Sequence, residues 1–284
     1  MIKVIAGIVT YNPNLTKLRE NLSAVVTQVT HTVIIDNGSE NANDIKELAT
    51  GFSNVEVIFN AENRGIASAL NQIFNKASDE AAEYVITLDQ DSEIYPDLIK
   101  TYLEYECLGD SFTCLRRDRN FLVESGEKEE IEYVESCITS GNLVKLDAWK
   151  AVGGFNERLF IDMVDVDFCY RLNAKGYRIV RINRYGMLHE IGDGSYISLF
   201  GRKHFTGNYS AFRKYYIFRN MSYVIQKYHL HHHYYSYKRL LFLFFSIWLT
   251  ENNKIQKSAK AINGVVDSFK MFDYLSSGGG VDHN

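Results

Sequence analysis

The first third of the chain alternates between short, β-branched apolar runs and stretches whose apolar residues recur at helical spacing. Lys3–Thr10, Thr32–Asp36, Val55–Phe59 and Tyr84–Leu88 read as buried strands. Between them, Asn14–Val29 places Leu15, Leu18, Leu22, Val25 and Val29 on one helical face, after a proline that suits a helix start. Asp44–Thr50 is compatible with a helix, and Ile66–Ala77 sets Ala67, Leu70, Ile73 and Phe74 on one side. Strands alternating with helices predict right-handed βαβ units and a parallel sheet. Ligands of such sheets gather at the carboxyl ends of the strands, which is where the distinctive polar residues of this chain fall.

Downstream the pattern loosens. Cys107–Ser136 lacks a clear period, Gly141–Lys145 and Arg178–Ile182 read as strands, and Asp147–Val152 and Asp165–Ala174 as helices. From about Phe212 the chain is helical and aromatic. The run Leu240–Leu249 is intensely apolar but too short to cross a bilayer. The N-terminal apolar run lacks the length and cleavage site of a signal peptide. The only prolines are Pro13 and Pro96, which excludes long proline-rich linkers, and 46% hydrophobic with 23% charged residues is a globular balance.

Charge is unevenly spread. Twelve of the 31 Lys and Arg residues, but only Glu251 and Asp267 among the 35 acids, lie between Gly201 and Lys270. A basic, aromatic segment on an acidic body suits an anionic surface such as a membrane or phosphate groups, against the plainer reading of a solvated basic face. Cys107, Cys114, Cys137 and Cys169 fit no zinc or redox spacing and read as reduced thiols.

Several polar residues are candidates for chemistry. The apolar strand YVITL runs into Asp89 and Asp91, one residue apart. Carboxylates at such spacing face one side and can hold a hard divalent cation while a nucleoside diphosphate completes its shell. As a bare motif it equally describes two solvated loop acids. Asp36 could accept hydrogen bonds from a base or ribose, or close an Asx-turn. Asn63, Arg64 and Gly65 precede a helix of small residues, where backbone N–H groups and the guanidinium would attract a diphosphate, or simply cap the helix. In Asp162, Asp165 and Asp167, three acids open a helix. Acids there suit the helix dipole, and one could deprotonate an attacking hydroxyl. His189 could join Asp91 at a metal, although a lone histidine is more often structural.

Taken in order, GIVTYNP, VIIDNGS, NRGIASALN, LDQDS, SGNLVKLDAWKAVGGFNERLFIDMVDVDFCYRLNAKGY and LHEIG resemble family 2 glycosyltransferases over roughly Ile5–Tyr228. FIDMVDVDFCYR and YYIFRN resemble the rhamnosyltransferase branch of O-antigen and capsule synthesis. The resemblance implies an α/β, Rossmann-like GT-A fold with a mainly parallel central sheet flanked by helices and a C-terminal helical appendage. It implies a catalytic domain over 1–205, split into a nucleotide-sugar half (1–95) and an acceptor half (96–205), then a basic aromatic helical segment (206–275) and a disordered tail (276–284). Thr10, Tyr11, Asp36, Asn63, Arg64, Gly65 and Asp89 would line the nucleotide pocket, with Ser140, Gly141 and Asn142 near the donor sugar. Asp89, Asp91 and His189 would serve Mg²⁺ or Mn²⁺, and Asp165 would be the general base. Val164 stands where many family members carry Glu, which weakens inferences about acceptor contacts but leaves Asp165 in place.

The implied reaction is a single inverting displacement, with a metal-neutralised leaving group and Asp165 accepting the proton of the acceptor hydroxyl. The branch suggests dTDP-β-L-rhamnose as donor, with UDP-glucose or UDP-galactose as the alternative on the same scaffold. The expected acceptor is a glycan on a polyprenyl diphosphate, with the protein at the cytoplasmic face of a bacterial inner membrane or free in the cytoplasm. A membrane partner is expected through the C-terminal segment and no nucleic-acid partner is expected; a homo-oligomer is left open. Two rival classes remain at this level. A nucleotidyltransferase would want a glycine-rich loop after the first strand, which VTYNPNL lacks. A non-catalytic binding module would not be expected to keep Asp89, Asp91, Asp165 and His189 together.

Overall fold

The computed structural model describes residues 2–118, 129–189, 195–199, 202–206, 208–231 and 235–276. Residues 277–284, most of the expected disordered tail, lie outside the described residues. The chain forms two compact units, one from residues 1–160 and 164–190, the other from 161–163 and 191–284.

In the first unit the expected alternation is present: β1 (Val4–Thr10), α1 (Leu15–Val25), β2 (His31–Asp36), α2 (Ala42–Ala49), β3 (Val55–Phe59), α3 (Ile66–Asp79) and β4 (Tyr84–Asp89). The Asn14 side chain caps α1 by accepting from the N–H groups of Thr16 and Lys17. After β4 come β5 (Glu93–Ile94), α4 (Leu98–Glu104), β6 (Ser111–Asp118), β7 (Ile131–Tyr133), β8 (Asn142–Lys145), α5 (Leu146–Ala151), α6 (Val164–Ala174) and β9 (Ile179–His189).

Among the described residues these strands make one nine-stranded sheet in the order β3-β2-β1-β4-β8-β6-β9-β5, with β7 also on β9. The expectation of a mainly parallel sheet needs correction. Pairing is parallel from β3 to β4 and between β6 and β9, but β8 runs antiparallel to β4 and to β6, and β5 and β7 run antiparallel to β9. Antiparallel neighbours need no crossover helix, and β5 follows β4, and β8 follows β7, with no helix between them. The segment expected to be irregular, Cys107–Ser136, supplies β6 and β7. Strand β9 continues well past Ile182, through Gly186, where a Cβ would lie 2.6 Å from the Cys114 sulfur of β6.

Register sets the level of the site. Thr10 pairs with Asp36, and Val9 with Asp89, so the last residues of β1, β2 and β4 lie along one sheet edge. Phe74 of α3 stacks on Trp149, and Phe155 stacks on Phe168 of α6, tying both helices into the core.

The second unit holds an antiparallel pair, β10 (Ser195–Leu199) and β11 (Arg202–Thr206), followed by α7 (Ala211–Tyr228), α8 (Tyr237–Thr250) and α9 (Lys254–Ser276). Helices α7 and α9 approach closely at Gly264, where a Cβ would lie 2.4 Å from the Tyr215 carbonyl oxygen. Glu251 is buried between two buried lysines, 2.5 Å from Lys214 Nζ and 3.0 Å from Lys257 Nζ. Among the described residues no helix is long and apolar enough to cross a membrane.

Candidate active site

The site is built from the carboxyl ends of β1, β2 and β4. Asp36 is buried, and its Oδ1 accepts from the Thr10 hydroxyl at 2.9 Å and from the Ser39 hydroxyl, while Oδ2 accepts from the Ser39 N–H at 3.0 Å. Both the Asx-turn and the bond to Thr10 therefore hold this carboxylate in one orientation. Next to it, buried Asn37 organises the following loop. Its amide donates to Asn63 Oδ1 at 2.9 Å and to the Gly65 carbonyl, and its carbonyl accepts from the Arg64 N–H at 3.1 Å. Gly65 has φ of +83°, and a Cβ there would lie 2.7 Å from the Phe160 carbonyl oxygen. Only glycine fits both the backbone and the space at the start of α3. The Arg64 side chain is exposed beside this turn.

Asp89 and Asp91 flank the turn after β4. The Tyr11 N–H donates to Gln90 Oε1 at 2.9 Å, and the Asn21 amide donates to the Asp89 carbonyl at 2.7 Å, so the turn is fastened to β1 and α1. The Asp89 N–H donates to Ser140 Oγ at 3.1 Å. Ser140 Oγ lies 2.7 Å from Ser92 Oγ, which lies 3.0 Å from His189 Nδ1. His189 Nδ1 is also 4.0 Å from Asp89 Oδ2. Metal–ligand bonds of about 2.1 Å on each side would bridge that gap, so this pair fits a small divalent cation. Asp91 is half-buried on the same turn and does not close with Asp89 and His189 into a compact three-ligand set.

Ser140 and Asn142 are buried. Gly141 has φ of +74°, its N–H donates to the Thr87 carbonyl, and its carbonyl accepts from the buried Tyr102 hydroxyl at 2.8 Å. Asn142 Oδ1 accepts from Ser111 Oγ at 2.7 Å. Burial pushes the Tyr102 hydroxyl well above its ordinary pKa, which keeps it a donor.

The acidic cluster separates into three roles. Asp162 has φ of +64° and pairs with Arg213 at 3.1 Å within the second unit. Asp167 is fully buried and bound to Arg171 Nε at 2.8 Å, and Arg171 Nη1 donates to the carbonyls of Val152 and Gly154. Asp165 is half-buried in the first turn of α6, with Oδ1 accepting from the Val166 N–H at 2.9 Å. The Cys137 thiol is pushed well up in pKa, first by its contact with Cys169 and by burial, and further by the negative charge of Asp165. Cys169, one turn further along α6, lies 3.9 Å from Cys137, which sets α6 against the loop that carries Ser140.

A family model, "Glycosyl transferase family 2", matches residues 6–170, a span that contains all of these candidates except His189. The chain belongs to that family. Its chemistry is glycosyl transfer. A curated relative, dTDP-rhamnosyl transferase RfbF of Shigella flexneri, is 29% identical over 94% of this chain and 95% of its own length. Among solved structures, S. aureus TarS 1-349 in complex with UDP-GlcNAc is similar with a TM-score of 0.58 and 16% identity, over 95% of this chain and 81% of that one. GalNAc-T7 with UDP, GalNAc and Mn²⁺ is similar with a TM-score of 0.56 and 13% identity, over 96% of this chain and 57% of that one. At such identities the two structures show a shared fold.

One group of metal-ligating atoms was not anticipated. His31, Glu56 and Glu80 place ligand atoms within 4.8 Å of one another, a set able to hold a divalent cation. It lies at the opposite end of β2 from Asp36, and Lys76 and Lys3 already reach its carboxylates at 2.9 and 3.3 Å. Those ammonium groups supply the positive charge a cation would bring, so we assign this cluster to the sheet's far edge rather than to glycosyl transfer. Sequence reasoning also passed over Asn37 and Ser92. Both lie inside the quoted motifs, but their roles depend on partners 26 and 97 residues away.

Proposed function

We propose that this chain is an inverting, metal-dependent transferase of the GT-A type. The observation that carries the reading is the convergence of Asp89, Ser140 and His189, which come from widely separated segments, on the sheet edge that also carries Thr10 and Asp36. Thr10, Tyr11, Asp36, Asn63, Arg64 and Gly65 would receive the nucleotide, with Arg64 and the α3 N-terminus beside its phosphates. Ser140, Gly141 and Asn142 would face the donor sugar. Asp89, Asp91 and His189 would hold Mg²⁺ or Mn²⁺, which neutralises the departing diphosphate. Asp165 would take the proton from the attacking acceptor hydroxyl, and attack on the face opposite the leaving group inverts the anomeric centre.

The donor has two competing readings. UDP accompanies two of the structural neighbours, which supports a UDP-hexose. The Shigella relative, matched over nearly its whole length, supports dTDP-β-L-rhamnose. The acceptor in this reading is a polyprenyl-diphosphate-linked glycan, reached at the cytoplasmic face of the membrane, with the apolar run of α8 meeting the lipid. Thermal shift with UDP, dTDP and their sugars, with and without Mn²⁺, followed by turnover on the binders, tests the proposal. A ligand at one hundred times its Kd stabilises by about 2.7 kcal/mol, a readily measured shift. Stabilisation by one nucleotide that needs Mn²⁺ is expected. No response to any nucleoside diphosphate would refute the reading.

A further inference from the structure

Helix α9 is built inside out. Its buried positions include Lys257, Ser258, Ala261 and Ser268, and Gly264 meets α7. Its exposed positions include Ile255, Ile262, Val266 and Phe269, between 50 and 79% accessible. These four follow i, i+7, i+11 and i+14, so they form one narrow stripe on the side opposite Gly264. A helix facing only water would carry the reverse pattern. Helix α8, three residues earlier in the chain, also exposes an apolar face: Leu241, Phe242, Phe245, Trp248 and Leu249 are each 47 to 62% accessible, while Leu240 and Ile247 are buried beneath. Contiguous exposed apolar faces of this kind mark interaction sites.

Charge identifies the occupant. In residues 208–276 the only acids are Glu251, Asp267 and Asp273, against ten Lys and Arg. Glu251 is buried between Lys214 and Lys257, and Asp267 is engaged by Tyr215 and Lys270. The apolar stripes are flanked by Lys238, Arg239, Lys254, Lys260 and Lys270, so the excess charge beside them is positive. A second copy of the same surface would bring like charge to like charge. An anionic lipid headgroup layer above an acyl region satisfies both features, since the stripes enter the apolar boundary and the bases remain among phosphates.

We propose that α9 is a second lipid-inserting helix, so that the enzyme docks on an anionic bilayer through two consecutive amphipathic helices. This rests on the membrane reading given for α8, and one experiment separates the two. Full-length protein is floated with vesicles containing phosphatidylglycerol and, in parallel, with pure phosphatidylcholine vesicles. Two variants are compared, Ile262→Glu/Phe269→Glu on α9 and Phe242→Glu/Phe245→Glu on α8. All four residues are exposed, so the fold should hold, and thermal melting checks this. The conservative Ile262→Leu/Phe269→Leu variant serves as the control.

The expected result is binding that depends on phosphatidylglycerol and weakens with salt. Each Glu pair should lower the bound-to-free ratio at least about tenfold, as the loss of two inserted apolar side chains requires, while the Leu pair retains binding. If the α9 Glu pair binds like wild type and the α8 pair does not, the two-helix inference fails and the α8 reading stands. If wild type does not bind vesicles, both fail. If wild type self-associates without lipid and the α9 Glu pair is monomeric, the stripe is an interface between copies and the proposal is overturned.

Discussion

Asp165 and Asp167 sit two residues apart on one helical turn, and the structure predicts opposite consequences for the same isosteric change. Asp167 is fully buried, and its partner Arg171, only 20% accessible at the side chain, holds the carbonyls of Val152 and Gly154. Asp167→Asn leaves that guanidinium with a neutral neighbour. Breaking one side of a buried pair costs about 3–5 kcal/mol, and the retained amide oxygen puts this case near about 3. For a domain of this size each kcal/mol moves Tm by about 2–4 °C, so a fall of about 6–12 °C is expected. Asp165 is half-buried, and its Oδ1 accepts from the next N–H, a bond that an Asn amide oxygen can keep, so Asp165→Asn should leave Tm within about 2 °C. If it is the proton acceptor, turnover should drop about 10²–10⁴-fold with donor binding unchanged. Thermal melting and steady-state transfer, measured on both variants, decide the matter. A stable, inactive Asp167→Asn beside an active Asp165→Asn would refute the assignment.

Other perturbations probe the remaining parts. Asp91→Ala should abolish transfer without lowering Tm, and EDTA should do the same to wild type; full activity in excess chelator would remove the cation from the site. Glu251→Gln takes the negative charge from between two buried ammonium groups and should destabilise the second unit by about 3 kcal/mol or more, visible by circular dichroism. The Glu80 carboxyl is pushed up by burial but more strongly held down by bonds from His31 and Lys3, for a net lowering below 4.5. A carboxylate depressed in the folded state contributes stability above its unfolded pKa and loses it as pH falls through the folded value. Acid titration of wild type should therefore show a loss of stability below about pH 4.5 that Glu80→Gln blunts, and parallel curves for the two proteins would contradict it.

Much of the first unit was legible because its signals are local. Hydrophobic period alone located β1 to β4 and the helices between them, and the polar residues at their ends followed from where apolar runs stop. The change of direction after Asp89 was not legible. Strand β6 carries Arg116 and Arg117, β5 is two residues long, and β9 passes through Asn183, Arg184 and Gly186, beyond the apolar run that stops at Ile182. Only pairing with neighbours makes these segments strands, since sheet hydrogen bonds are non-local.

The sequence by itself determined the family, the βαβ opening, the acids Asp36, Asp89, Asp91 and Asp165 as candidates, and a basic, apolar C-terminal segment. Residue type and spacing along the chain carry that information. Tertiary structure decided what depends on distance through space. It made the sheet mixed and joined Ser92, Ser140 and His189 across 48 and 97 residues of chain. It buried Asp167 against Arg171 and left Asp165 only partly covered. It also turned Gly264 toward α7, which sent Ile255, Ile262, Val266 and Phe269 outward. Helical periodicity groups residues on a face, but only the packing partner determines which face meets solvent.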